Sequence, residues 1–120
     1  MSELKKIELT KLETFLLARP RCAKLDEQHT SDMQETIQEA AEQAPKLAII
    51  LDMSEVHSLP SLSIGALVCL MQNSKQRQQR FILIGLHPDV RQTLAICRLD
   101  KLFEIYDAFE TASQKIQQSP

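Results

Sequence analysis

Glycine is scarce in this chain, with Gly65 and Gly85 the only two. Without a glycine-rich loop, consecutive backbone N–H groups cannot be brought onto the phosphates of a nucleotide, so the chain is not expected to hydrolyse ATP by itself. Cysteine is sparse as well. Cys22, Cys69 and Cys97 are odd in number and far apart, which gives neither a disulfide framework nor a metal-ligand spacing. Apolar neighbours such as Val68, Leu70 and Ile96 make buried free thiols the expectation. No apolar run approaches the roughly 20 residues that span a bilayer. The opening MSELKKIEL lacks the apolar stretch of a secretion signal, so the expected location is the cytoplasm, without membrane insertion. Lysine and arginine number 14 against 16 acids, for a net charge of -2, and they are scattered. That balance speaks against nucleic acid and anionic membranes as partners.

Clustered chemistry is missing too. His29, His57 and His87 fall on three different turns, none at i, i+4 from another and none beside a cysteine. A metal site is not expected, and the three read as solvated loop side chains. A Ser/His/Asp set could draw on Ser61, on His57 or His87, and on Asp26 or Asp52, but nothing like G-x-S-x-G surrounds Ser61. No cofactor and no catalysis are expected. A small ligand binder or hydrolase using the cleft at the sheet's carboxyl edge stands as a lesser alternative.

What is present is a buried α/β pattern. With 120 residues and 43% hydrophobic content, residues 1–120 can form one domain that buries roughly two-thirds of its unfolded surface. The stretch from Lys46 to Ser74 carries the strongest pattern. Leu47 to Leu51 is a short, β-branched apolar run after Pro45, fitting a strand covered on both faces and stopping at Asp52, which is placed to order the turn. Then come Leu59, Pro60 and Ser61, followed by a helix through Leu62, Ile64, Ala66, Leu67, Val68, Leu70 and Met71. Its apolar residues occupy most of the circumference, so it should be sandwiched. Pro60 suits a first helical turn, and Ser61 lies at the helix N-terminus. Free N–H groups and the helix dipole favour an anion there, including one made by phosphorylating a hydroxyl.

Around that unit, Ile7 to Leu9 and Glu13 to Leu17 read as a hairpin whose second strand ends at Arg19-Pro20. A helix from about Thr30 to Ala44 follows, capped by Thr30 or Ser31, with Met33, Ile37 and Ala41 at helical spacing. Arg80 to Gly85 is a second buried strand, and strand, helix, strand of this length implies a right-handed parallel crossover. Pro88 opens another helix, which Leu99 to Phe103 closes. A short strand at Glu104 to Tyr106, a helix from Asp107 to Gln117 and a loose QQSP tail complete the chain.

These pieces, in this order, resemble the STAS domain family, whose best-known members are bacterial anti-sigma factor antagonists. Leu51-Asp52-Met53-Ser54 is similar to the family's Leu-Asp-Leu-Ser, and Pro60-Ser61-Leu62-Ser63-Ile64-Gly65 occupies its Asp-Ser-Ser/Thr-Gly-Leu-Gly. Leu25-Asp26, the Pro88-Asp89-Val90-Arg91 helix start and Leu99-Asp100-Lys101-Leu102-Phe103 also match. The resemblance implies an α/β domain with a mixed, largely parallel central sheet and helices packed around it. It further implies a regulatory binding module that engages an anti-sigma factor with serine kinase activity. Ser61 would be the phosphoacceptor, with Ser63 as the substitute, and Asp26 the acid facing it across the loop. Asp26, Leu59, Pro60, Ser61, Leu62 and Ile64 would meet the partner. Pro60 stands where the family has an acid, and Leu62 and Ser63 where it has a hydroxyl and a glycine. Those departures favour an alternative, an unphosphorylated STAS scaffold in a signalling or transport assembly. Homodimerisation is left open.

Overall fold

Apolar runs without polar alternation are stable as strands only where both faces are covered, and the sheet is organised around two of them. In chain order the elements are β1 (Ile7–Lys11), β2 (Phe15–Pro20), α1 (Glu27–Gln43), β3 (Ala48–Asp52), α2 (Ser61–Gln76), β4 (Phe81–Ile84), α3 (Pro88–Ile96), β5 (Glu104–Tyr106) and α4 (Phe109–Gln118). The structure, a computed structural model, describes residues 7–118. Every residue of β3 and of β4 is buried. The five strands run β1-β2-β3-β4-β5 across one sheet, the β1–β2 pair antiparallel and the rest parallel. β3 is its centre, with Ile50 opposite Leu17 on one side and Ile82 on the other. The sheet is therefore mixed and largely parallel, as expected.

Alternate side chains of the strands feed two apolar clusters. On one face Leu16, Ile49, Leu51 and Leu83 meet Met33 and Ile37 of α1, Leu67 and Leu70 of α2, and Val90 and Leu94 of α3. On the other, Phe15, Ile50, Ile82 and Ile84 meet Ala112, with Phe109 and Ile116 of α4 packed against them. Gln79 ties the layers together. Gln79 is 5% exposed, and its side-chain amide donates to Ala44 O and Leu47 O at 2.9 Å each, fixing the turn between α1 and β3. Immediately before β4, Arg80 pairs with Glu104 of β5, which also accepts from Tyr106 Oη at 2.6 Å. Burial pushes the Glu104 carboxyl up, yet the bonds from Arg80 and Tyr106 outweigh it and hold the group below its ordinary 4.5.

Several sequence expectations need correction. α1 starts a turn before Thr30, because Asp26 caps it: Asp26 Oδ1 accepts from His29 N at 2.9 Å. Thr30 is buried inside the helix and donates to Leu25 O at 3.1 Å. β2 runs on through Pro20, whose missing N–H costs the β3 ladder nothing because that pairing ends at Ala18 and Leu51. α4 begins at Phe109 instead of Asp107 and takes in Gln117 and Gln118, while the expected tail residues Ser119 and Pro120 lie outside the described residues.

α2 is not sandwiched. α1 packs beside it on the same face of the sheet, so the outer side of α2 has no layer above it. Gly65 and Cys69 are exposed there, and Leu62 is 57% exposed. The thiols follow suit. Cys69 and Cys97 are exposed and Cys22 is half-buried, so the expected burial of the free cysteines does not hold.

Candidate functional site

The loop between β3 and α2 is pinned at both ends before it presents anything to solvent. Asp52 Oδ1 accepts from Ser54 N at 2.9 Å and its Oδ2 from Arg19 Nε at 3.0 Å, which orders the turn after β3 as the sequence suggested. Met53 and Val56 are fully buried and Leu59 is 8% exposed, so three side chains anchor the loop in the core. A neighbouring loop holds it laterally. His57 N and Ser58 N donate to Ala23 O at 2.7 and 3.1 Å, and Leu25 N donates to Ser58 O at 3.2 Å. The segment before α1, with Asp26, and the segment before α2, with Ser61, are thus laced together.

Pro60, at φ -64° and ψ 162°, is the residue on which α2 starts. Its carbonyl accepts from Ser63 N at 3.0 Å, Ile64 N at 3.2 Å and Ser63 Oγ at 2.7 Å. Its ring offers no oxygen to the first-turn N–H groups, and no acid lies in that turn. The other two helix starts here differ. Asp26 closes α1, and His87 Nδ1 accepts from Asp89 N at 3.2 Å to close α3. The Asp26 carboxyl is held below its ordinary 3.8, first by the His29 backbone N–H and then by the His29 side chain, 2.7 Å away. At α2 the partial positive charge of the helix end is left facing solvent at Ser61.

The predicted site residues divide accordingly. Ser61 and Leu62 are exposed, Pro60 and Ile64 half-buried, and Asp26 is exposed on the adjoining loop. Two need correction. Leu59 belongs to the core, because the loop needs an apolar anchor immediately before its proline, and it presents almost nothing to a partner. Ser63 has no exposed surface and spends its hydroxyl on Pro60 O, so it cannot serve as a substitute acceptor without opening the helix. A groove of about 460 Å³ runs from Ser61 along α2, floored by Leu62, Gly65, Ala66 and Cys69 and walled by Glu27, Ser31 and Gln34 of α1. Sequence reasoning missed this groove, since it depends on α1 lying beside α2.

His29 departs from the expected loop setting by sitting in the first turn of α1, whereas His57 and His87 lie in loops as expected, their ring centroids 4.4 Å apart and the planes tilted by 37°. That pairing follows from β3 and β4 being parallel neighbours, so that the loops leaving them emerge side by side. No cluster of three or more potential metal ligands exists among the described residues.

One antiparallel edge strand beside four parallel ones, helices on both faces and an exposed serine opening the crossover helix together define a STAS-type α/β domain. The sequence model of the STAS domain family matches residues 6–112, and the chain belongs to that family. A candidate anti-sigma factor antagonist of Thermotoga neapolitana is 30% identical over 69 residues, or 58% of this chain. The match spans 61% of that relative's length. The fold of a candidate anti-sigma factor antagonist from Thermotoga maritima superposes with a TM-score of 0.86 at 18% identity, covering 98% of this chain and 100% of that one. The anti-sigma factor antagonist SpoIIAA in its unphosphorylated form gives 0.79 at 20% identity, covering 95% and 98%.

Proposed function

We propose that this domain is a regulatory protein-binding module of the anti-sigma factor antagonist type, switched by phosphorylation of Ser61. The observation that carries the reading is the open start of α2, where an exposed hydroxyl stands at a helix N-terminus with neither a capping side chain nor a first-turn acid. A phosphate on Ser61 adds about -1.5 to -2 charges, which the free N–H groups and dipole of the helix can hold without refolding the domain. The partner, an anti-sigma factor with serine kinase activity, binds the unmodified face around Pro60, Ser61, Leu62 and Ile64, with Asp26 on the adjoining loop. A dianion placed among those apolar side chains is costly to desolvate and weakens the contact. The domain works as a surface, without cofactor or catalysis of its own, in the cytoplasm. No helix among the described residues is long and apolar enough to cross a membrane.

An unphosphorylated STAS scaffold is the second reading. Pro60 favours it, because the acid that precedes the family's phosphorylated serine is absent here. Binding of the cognate anti-sigma factor to wild type, Ser61→Asp and Ser61→Ala separates the two. The switch predicts retained binding for Ser61→Ala and weakened binding for Ser61→Asp at unchanged stability. Equal binding by all three supports the scaffold.

A further inference from the structure

The outer face of α1 is strongly acidic. Its 17 residues include Glu27, Asp32, Glu35, Glu39 and Glu42 and no lysine or arginine, in a chain whose net charge is only -2. Glu35, Glu39 and Glu42 run from the middle of the helix to its last turn, at spacings that place them on neighbouring turns. Like charges one turn apart repel, and at Glu42, in the last turn, the helix dipole also disfavours an anion. All three are exposed, and among the described residues no ion pair reaches Glu39 or Glu42. A second feature beside them is not needed for folding. Gly65 sits inside α2, where glycine weakens a helix, although an added Cβ would meet nothing within 4 Å. Its absent side chain leaves a notch in the apolar floor between Leu62 and Cys69. A shallow recess lined by Glu35, Gln38, Glu39 and Glu42 adjoins that groove, the two sharing Ser31 and Gln34 on α1.

We propose that this surface docks a cationic amphipathic helix of the partner protein, its apolar ridge seated over Gly65 and Cys69 and its lysines or arginines against Glu39 and Glu42. Charge decides the occupant, since an acidic or neutral helix would leave the carboxylate wall unanswered or repelled. The inference rests on the protein-binding reading above and names the partner's chemistry. It is also compatible with the switch. Ser61 lies at the apolar end of the groove beside Glu27, while Glu39 and Glu42 lie towards the far end of α1, so a phosphate would disturb the apolar seat without meeting the partner's cations.

The test uses a helical peptide of roughly four turns, with leucines at i, i+3, i+4 and i+7 and flanking lysines, and a twin carrying glutamate for lysine. Alkylation of the exposed thiols reports the site. The lysine peptide is expected to slow labelling of Cys69 and leave Cys97 unaffected, with the glutamate twin inert. Glu39→Lys with Glu42→Lys should weaken the peptide about tenfold while thermal stability holds or rises, and Gly65→Ala should weaken it while raising stability. Equal protection by both peptides, equal slowing at Cys97, or undiminished affinity after the charge reversal would overturn the proposal. Failure of Ser61 phosphorylation with Cys69 protection intact removes the switch and leaves this surface standing; the reverse outcome removes this surface alone.

Discussion

The starts of α1 and α2 lie side by side, laced by backbone hydrogen bonds between Ala23, Leu25, His57 and Ser58, yet they are built to opposite ends. Asp26 spends its carboxylate on the first turn of α1 and on His29, leaving that terminus closed. Pro60 has no side-chain acceptor to cap α2, and Ser61 is left over a positive helix end. The same backbone arrangement thus yields a structural joint in one place and an anion-ready surface in the other, and the difference is one side chain.

The sharpest way to test that contrast is to ask what holds the open end in place. Leu59→Ala removes the apolar anchor immediately before Pro60 and should cost about 2–5 kcal/mol through the cavity it leaves. Leu62→Ala, three residues on and exposed, should stay within about 0.5 kcal/mol. Chemical denaturation of the two variants measures both, and similar losses would mean that the loop is not anchored as described.

A smaller effect separates the two helix starts directly. Asp26→Ala should lower the melting temperature, and Ser61→Ala should leave it nearly unchanged, because only the first removes a cap. The acid side of the stability profile carries the same information. The folded Asp26 carboxyl titrates below its ordinary 3.8, so its contribution is complete above that value and disappears as the pH falls through the folded one. Asp26→Asn can still accept from His29 N but has no charge to lose, so its stability should fall less steeply in that range. Parallel acid profiles for wild type and Asp26→Asn would contradict a closed, charged cap.

Much of this was readable in the residues. β3 and β4 announced themselves because short, β-branched apolar runs without alternation, bounded by Pro45 and Asp52 or ending at Gly85, fit strands in the middle of a covered sheet. Pro60 marked the start of α2, although it stands just outside the first turn, as the extended residue before Ser61. The start of α1 was misread since Asp26, Thr30 and Ser31 all have capping side chains, and only the tertiary placement of Leu25, fully buried, selects the first of them. Cys69 was misjudged because hydrophobicity all round α2 does not say which neighbour lies above it and which beside it. The groove, the buried hydroxyl of Ser63 and the His57–His87 pair share that cause, being products of how elements pack.

The central claim is that the open end of α2 is a phosphate acceptor, and site-resolved mass spectrometry after incubation with ATP and a cognate serine kinase anti-sigma factor tests it most directly. The account predicts one added phosphate, mapped to Ser61, with the melting temperature unchanged and no modification in Ser61→Ala. Persistent phosphate at another residue in Ser61→Ala, or none on the wild type, would contradict it.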